Sequence, residues 1–172
     1  ALTSLWILMQ VHGLEYAHFY ESLYAVVRRA TFHARHRARV LRLLMGCLGS
    51  PYVPANVVAA FVKRLLRLAL TAPPSGALYA LALAHNLLRR CQEARVLVHR
   101  ASGAGDETAL ARGDQYDERG ALGACGALET SLWELLALRC HYLPAAASFA
   151  RLFEGKLDTR AEEHDVDEMA EL

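Results

Sequence analysis

Acidic residues are nearly missing from the first hundred positions, where only Glu15, Glu21 and Glu93 occur. Isoleucine appears once, at Ile7, and threonine is sparse, so the residues that favour strands are in short supply. The 54% hydrophobic content is an excess of Ala and Leu, both strong helix formers, which sets aside a sheet-based fold. No C-x-x-C pair exists among Cys47, Cys91, Cys125 and Cys140. A chain of 172 residues builds a core without disulfides, so these thiols are expected to be reduced, small buried hydrophobes in a cytosolic or nuclear protein. No apolar run is long enough for a bilayer. The stretch 57–70 is interrupted by Lys63, Arg64 and Arg67, and 77–88 has only 12 residues against the roughly 20 required, so no membrane insertion is expected. The chain opens at Ala1 inside an apolar helical pattern with no polar leader, as expected of a piece of a longer protein.

Absent too are G-x-S-x-G, P-loop, G-x-G-x-x-G and H-E-x-x-H motifs. Cys140 and His141 are neighbours on an expected helix and point about 100° apart, so they do not form a nucleophile–base pair. His33 and His36 share an i, i+3 face, but arginines surround them and no thiol or carboxylate stands at ligand spacing, which disfavours a metal. His85, beside Asn86 in an apolar stretch, is expected to be a hydrogen-bonded core histidine. No catalytic residue, metal site, cofactor or small-molecule substrate is expected.

What is present is a sharp division of charge. Residues 1–100 balance to +10 and residues 101–172 to −9, within a net +1. Either the basic half meets an acidic partner, or the two halves neutralise each other in one fold. The densest basic cluster is Arg28, Arg29, Arg35, Arg37, Arg39 and Arg42. Positions 35, 39 and 42 form one helical stripe opposite Leu41, Leu44 and Leu48, so the arginines should face outward. Their planar forks suit phosphate or carboxylate. Without interleaved aromatics, base stacking is not expected. Lys63, Arg64 and Arg67 form a second basic group on one helix face, with Ala60, Phe61, Leu65 and Leu68 on the packing side. This group reads as an extension of the arginine surface or as a solvated face. The aromatics, Tyr20 and Tyr24 among them, are expected in the core, with some as partner anchors.

Breakers divide the chain into expected helices at about 2–12, 16–29, 34–49, 55–71, 75–91, 127–141 and 144–154. Gly13 ends the first, Pro51 and Pro54 separate the third and fourth, and Pro73-Pro74 end the fourth before Ser75 caps the fifth. Short links between such helices give an all-α fold of antiparallel pairs over residues 1–154, read as a HEAT-like α-solenoid with a compact helical bundle as the alternative. Six glycines in 101–126 suggest a flexible loop, and the acid-rich 155–172 suggests a tail that orders only against a partner.

Several segments occur together in a recognisable order. Leu14-Glu15-Tyr16 and Phe19-Tyr20-Glu21-Ser22-Leu23-Tyr24 come first, then the 32–39 and 58–78 segments and Asn86-Leu87-Leu88-Arg89-Arg90. Leu128-Glu129-Thr130-Ser131-Leu132-Trp133-Glu134-Leu135, His141-Tyr142-x-Pro144 and Phe149-Ala150-Arg151-Leu152-Phe153-Glu154 follow. In this order they resemble the CCAAT-binding-factor / maintenance-of-killer family of ribosome assembly factors. The chain departs from that pattern in 101–126. There a glycine-rich expansion replaces a more compact acidic segment, of which Asp114-Gln115-Tyr116-Asp117-Glu118 remains recognisable.

The resemblance implies a nucleolar, nuclear α-solenoid belonging to the small-subunit processome. It implies a heterodimer with nucleolar protein 14, contact with pre-ribosomal RNA and other processome proteins, and a non-catalytic role in maturation and export of the small subunit. The alternative is a generic RNA- or DNA-binding helical domain that uses the arginine face.

Overall fold

The computed structural model describes residues 4, 7–8, 18–34, 37–50, 52–99, 114–155, 157 and 163–165. Among these the ordered elements are helical and no strand occurs. We number the α-helices α1 (Phe19–Val26), α2 (Arg29–His33), α3 (Arg37–Leu48), α4 (Ala55–Ala69), α5 (Pro74–Arg90), α6 (Trp133–Leu138) and α7 (Pro144–Leu152). Two 3-10 turns, Glu93–Leu97 and Ala127–Glu129, lie between α5 and α6. The expected first helix falls largely outside the described residues, although Ser4, Ile7 and Leu8 are helical.

The centre of the core is the α4–α5 pair. α5 is buried almost all round, from Ala77 to Leu88 with only Leu78 partly open, because its sequence is mostly Ala and Leu, with His85 and Asn86 hydrogen-bonded within the fold. α4 packs along it through Val58, Phe61, Leu65 and Ala69. The ends follow proline geometry. Pro54 stands at φ −59° just ahead of α4, and Pro73, extended at φ −62° and ψ 159°, hands over to Pro74 in the first turn of α5. On one side α7 packs against α5, and on another α6 and the second 3-10 turn pack against α4.

Two expected helices are broken, each by a diverted backbone. The helix expected over 16–29 stops at Val26, and a separate short helix begins at Arg29. The Thr31 hydroxyl donates to the Val26 carbonyl at 2.5 Å and accepts from the Arg28 amide at 3.2 Å, which offers this corner an alternative to helix continuation. The Arg28 guanidinium donates to the Ala25 carbonyl at 2.5 Å and fills another terminal acceptor. The helix expected over 127–141 opens as a 3-10 turn and becomes α-helical only at Trp133. Between them the Thr130 hydroxyl takes the Ala127 carbonyl at 2.9 Å, and the Leu132 amide donates to the Leu97 carbonyl at 3.1 Å. The Ser131 carbonyl, in turn, is claimed by Lys63 at 2.5 Å.

The stretch 101–126, expected as a flexible loop, divides in the structure. Residues 101–113 lie outside the described part, whereas 114–126 form a strap packed on α4, with Tyr116, Leu122 and Cys125 buried. The Asp117 amide donates to the Cys125 carbonyl at 3.0 Å and closes the strap on itself. Gly126 leaves it in the left-handed region at φ 67°, where a side chain would be strained and would stand 3.1 Å from the Gln115 carbonyl oxygen. Of the acidic stretch 155–172, Leu157 is buried, Glu163 and His164 contact α5, and most of the remainder lies outside the described residues.

Candidate partner-binding surface and a buried charge network

The two basic groups occupy different environments. Arg28, Arg29, Arg39 and Arg42 are exposed, on the corner between α1 and α2 and along α3, and Arg37 is half-buried. Arg35 lies outside the described residues. Leu41, Leu44, Cys47 and Leu48 point from α3 into the core, so the stripe expected to face outward does so for Arg39 and Arg42. Guanidinium groups of this kind suit phosphate or carboxylate oxygens.

Lys63, Arg64 and Arg67 are expected to face outward, as an extension of this arginine surface or as a solvated face. The structure turns them inward instead. Lys63 is 0% exposed, and its ammonium meets the Glu134 carboxylate at 3.1 Å, the Asp114 carboxylate at 3.1 Å and the Ser131 carbonyl at 2.5 Å. Arg67 forks between the same two acids, at 3.1 Å to Glu134 and 2.5 Å to Asp114. Two cations thus face two carboxylates, and the cluster is electrically closed. Arg64 donates to the Val27 carbonyl at 2.6 Å, lies 3.7 Å from Glu118 and stacks over the Tyr24 ring at 4.2 Å. Arg67 sits 4.6 Å over the Tyr116 ring, and the phenols of Tyr24 and Tyr116 are hydrogen-bonded to each other. The Trp133 indole N–H donates to Asp114 at 2.6 Å.

The carboxyl groups respond to this setting in opposite directions. Burial pushes the fully enclosed Glu134 carboxyl above its ordinary value, with Lys63 and Arg67 pulling against it. Burial also acts upward on Asp114, but hydrogen bonds from Trp133, Arg67 and Lys63 prevail and hold it below the usual carboxylate range. Burial and the Tyr24 hydrogen bond raise the Tyr116 phenol. The arrangement positions the strap on α4. Sequence reasoning missed Asp114, Glu118 and Glu134 as partners of α4. The signal for them was the opposite charge of the two halves, although position along the chain did not say which acid meets which base.

The remaining candidates fall out simply. Cys47 is buried, which raises its thiol to about 12, and the four cysteines are unpaired with one another. His33 is exposed and His36 lies outside the described residues, among which no cluster of three metal-ligating side chains is found. No described helix is long and apolar enough to cross a membrane. An open apolar groove of about 370 Å³ runs between α6 and α7, lined in part by Leu97, Leu132, Trp133, Leu136 and Phe153. Trp133 is 42% and Leu136 64% exposed along it, and Arg139 pairs with Glu154 at its rim at 2.5 Å.

The model of the CBF/Mak21 family matches residues 1–150. The chain belongs to that family. Among curated CBF/Mak21 proteins, the human nucleolar complex protein 4 homolog is 45% identical over 91% of this chain and 30% of its own length. The zebrafish homolog is 41% identical over 100% of this chain and 32% of its own length. The Arabidopsis protein NUCLEOLAR COMPLEX ASSOCIATED 4 is 40% identical over 94% and 31%. The chain therefore spans about a third of the length of the curated relatives it matches. These CBF/Mak21 relatives are nucleolar by name, and the nucleolar, nuclear localisation implied by the sequence motifs rests on them.

Proposed function

We propose that this chain is a non-catalytic scaffold segment in ribosome biogenesis. It works within the small-subunit processome, paired with nucleolar protein 14, in maturation of small-subunit rRNA and export of the subunit. The observation that carries this reading is the match of residues 1–150 to the CBF/Mak21 family, with relatives named for a nucleolar complex. The geometry supports it. The polar chemistry of α4 is largely consumed in holding the fold, and the outward surfaces among the described residues include the apolar groove beside Trp133 and the arginines at 28, 29, 37, 39 and 42. The groove suits an apolar helix face of the protein partner, and the arginines suit pre-ribosomal RNA or an acidic segment. In the complete protein the helices would continue as a HEAT-like α-solenoid of antiparallel pairs, each stacking on the next.

Co-purification with nucleolar protein 14 at about 0.5 M salt, where phosphate contacts are largely screened, tests the scaffold reading. A stoichiometric complex that survives this salt supports it, and loss of the complex sinks it. The second reading, a generic RNA- or DNA-binding domain, is favoured by the exposed arginines alone. It predicts affinity that falls steeply with salt and depends little on nucleic-acid sequence.

A further inference from the structure

On the far side of α5 from the buried network, the acidic stretch returns to the fold and is held by a built site. Asn86 is 0% exposed, and its amide binds one residue twice. Its Nδ2 donates to the His164 carbonyl at 2.9 Å, and its Oδ1 accepts from the His164 amide at 3.1 Å. That pair of bonds reproduces what a neighbouring β-strand would offer, so it recognises extended backbone rather than a particular side chain.

The side chains on either side of the clamp add selectivity. The His164 ring lies 4.6 Å from the Phe149 ring and 4.9 Å from the His85 ring, with Nε2 of His164 and Nδ1 of His85 3.1 Å apart. His85 is itself fixed edge-on against Phe153 at 5.0 Å. Burial, then His164 and Arg89, push His85 down to about 4, and burial and Arg89 also lower His164. One residue earlier, the Glu163 carboxylate receives both arms of the Arg90 guanidinium at 2.6 Å each. Arg90 is held for this purpose from behind, because its Nη1 donates to the Gly49 carbonyl at 3.0 Å. A Cβ at Gly49 would stand 2.2 Å from that nitrogen, so the absent side chain makes room for the fork.

The guanidinium fork takes Glu163, and the backbone clamp and ring slot both take the next residue, His164. We propose that this face of α5 and α7 is a recognition site for an extended peptide carrying a carboxylate one residue before a flat ring, and that Glu163-His164 is its resident intramolecular occupant. A partner segment with the same pattern would enter by displacing the chain's own residues. The site does not use the arginine surface, and it shares Phe153 with the lining of the groove described above.

The test uses the full chain and a fluorescent peptide of residues 157–170 of this sequence. In the chain carrying Glu163→Ala and His164→Ala the site is vacated. This variant should bind the peptide at least tenfold more tightly than the unaltered chain does. A peptide with the same two alanines should bind the variant chain at least tenfold more weakly. Asn86→Leu removes a fully buried amide and threatens folding, so Arg90→Ala at the exposed rim, added to the vacated chain, carries the last arm. It should weaken the peptide at least tenfold while the circular dichroism stays unchanged. Equal binding by vacated and unaltered chains, equal binding of the two peptides, or indifference to Arg90→Ala would each overturn the proposal.

Discussion

Arg39 on α3 and Lys63 on α4 belong to the same strongly basic half of the sequence, yet one lies in water and the other is sealed in the protein. The difference lies in what the rest of the chain brings to each. Over α4, the strap at 114–126 and the start of α6 deliver Asp114, Glu118 and Glu134, and a desolvated ammonium is tolerable only with such partners. Around α3 no comparable acidic element is described, and the arginines remain at the surface. The charge division of the sequence is therefore met in part inside the fold: the halves neutralise each other at α4, while Arg39 on α3 stays at the surface.

The comparison breaks most severely at Glu134. Glu134→Ala leaves Lys63 buried beside a single partly exposed carboxylate and should cost about 3–5 kcal/mol, read as a lowered denaturant midpoint. Asp114→Asn removes the charge from a group that accepts from Arg67 and Trp133 and pairs with Lys63, and should cost about 1–3 kcal/mol at pH 7. That cost has a pH signature. Asp114 is held below its ordinary 3.8, so its contribution is fully present above that value and is lost as pH falls through the lower folded-state value. The stability gap between the unaltered chain and Asp114→Asn should accordingly close on acidification below about pH 4. Arg64→Lys keeps the charge but loses the planar stack on Tyr24, for about 0.5–1 kcal/mol in a thermal or chemical melt. At the small end, Arg29→Ala and Arg39→Ala should each move stability by no more than about 0.5 kcal/mol. If the arginine surface contacts RNA phosphates, each should also flatten the salt dependence of binding by roughly one unit of slope.

Legibility in the sequence followed the range of the forces involved. The bounds of α4 and α5 were readable because Pro54, Pro73 and Pro74 act on their immediate neighbours. The break after Val26 was hidden, since it depends on a threonine hydroxyl five positions away that competes with a regular helical pattern. The opening of α6 was less readable still. Its backbone is diverted by Leu97 and Lys63, which are close in space and far away in sequence. The same reason governs the candidate site. Amphipathic spacing placed Leu41 and Leu44 inward and Arg39 outward, because leucines decide a helix face locally. For Lys63, Arg64 and Arg67 it gave the wrong side, because their surroundings are set by acids 47 or more positions further along.

A double-mutant cycle on Lys63→Met and Glu134→Leu tests the central claim most directly, with unfolding free energies for both singles and the double. If α4's cations are internal partners of the later acids, each single change should destabilise by about 3–5 kcal/mol. The double change should recover about 2–3 kcal/mol relative to their sum, because neither charge is then left buried alone. Strict additivity, or a Lys63→Met variant as stable as the unaltered chain, would contradict the account and return Lys63 to the exposed basic surface.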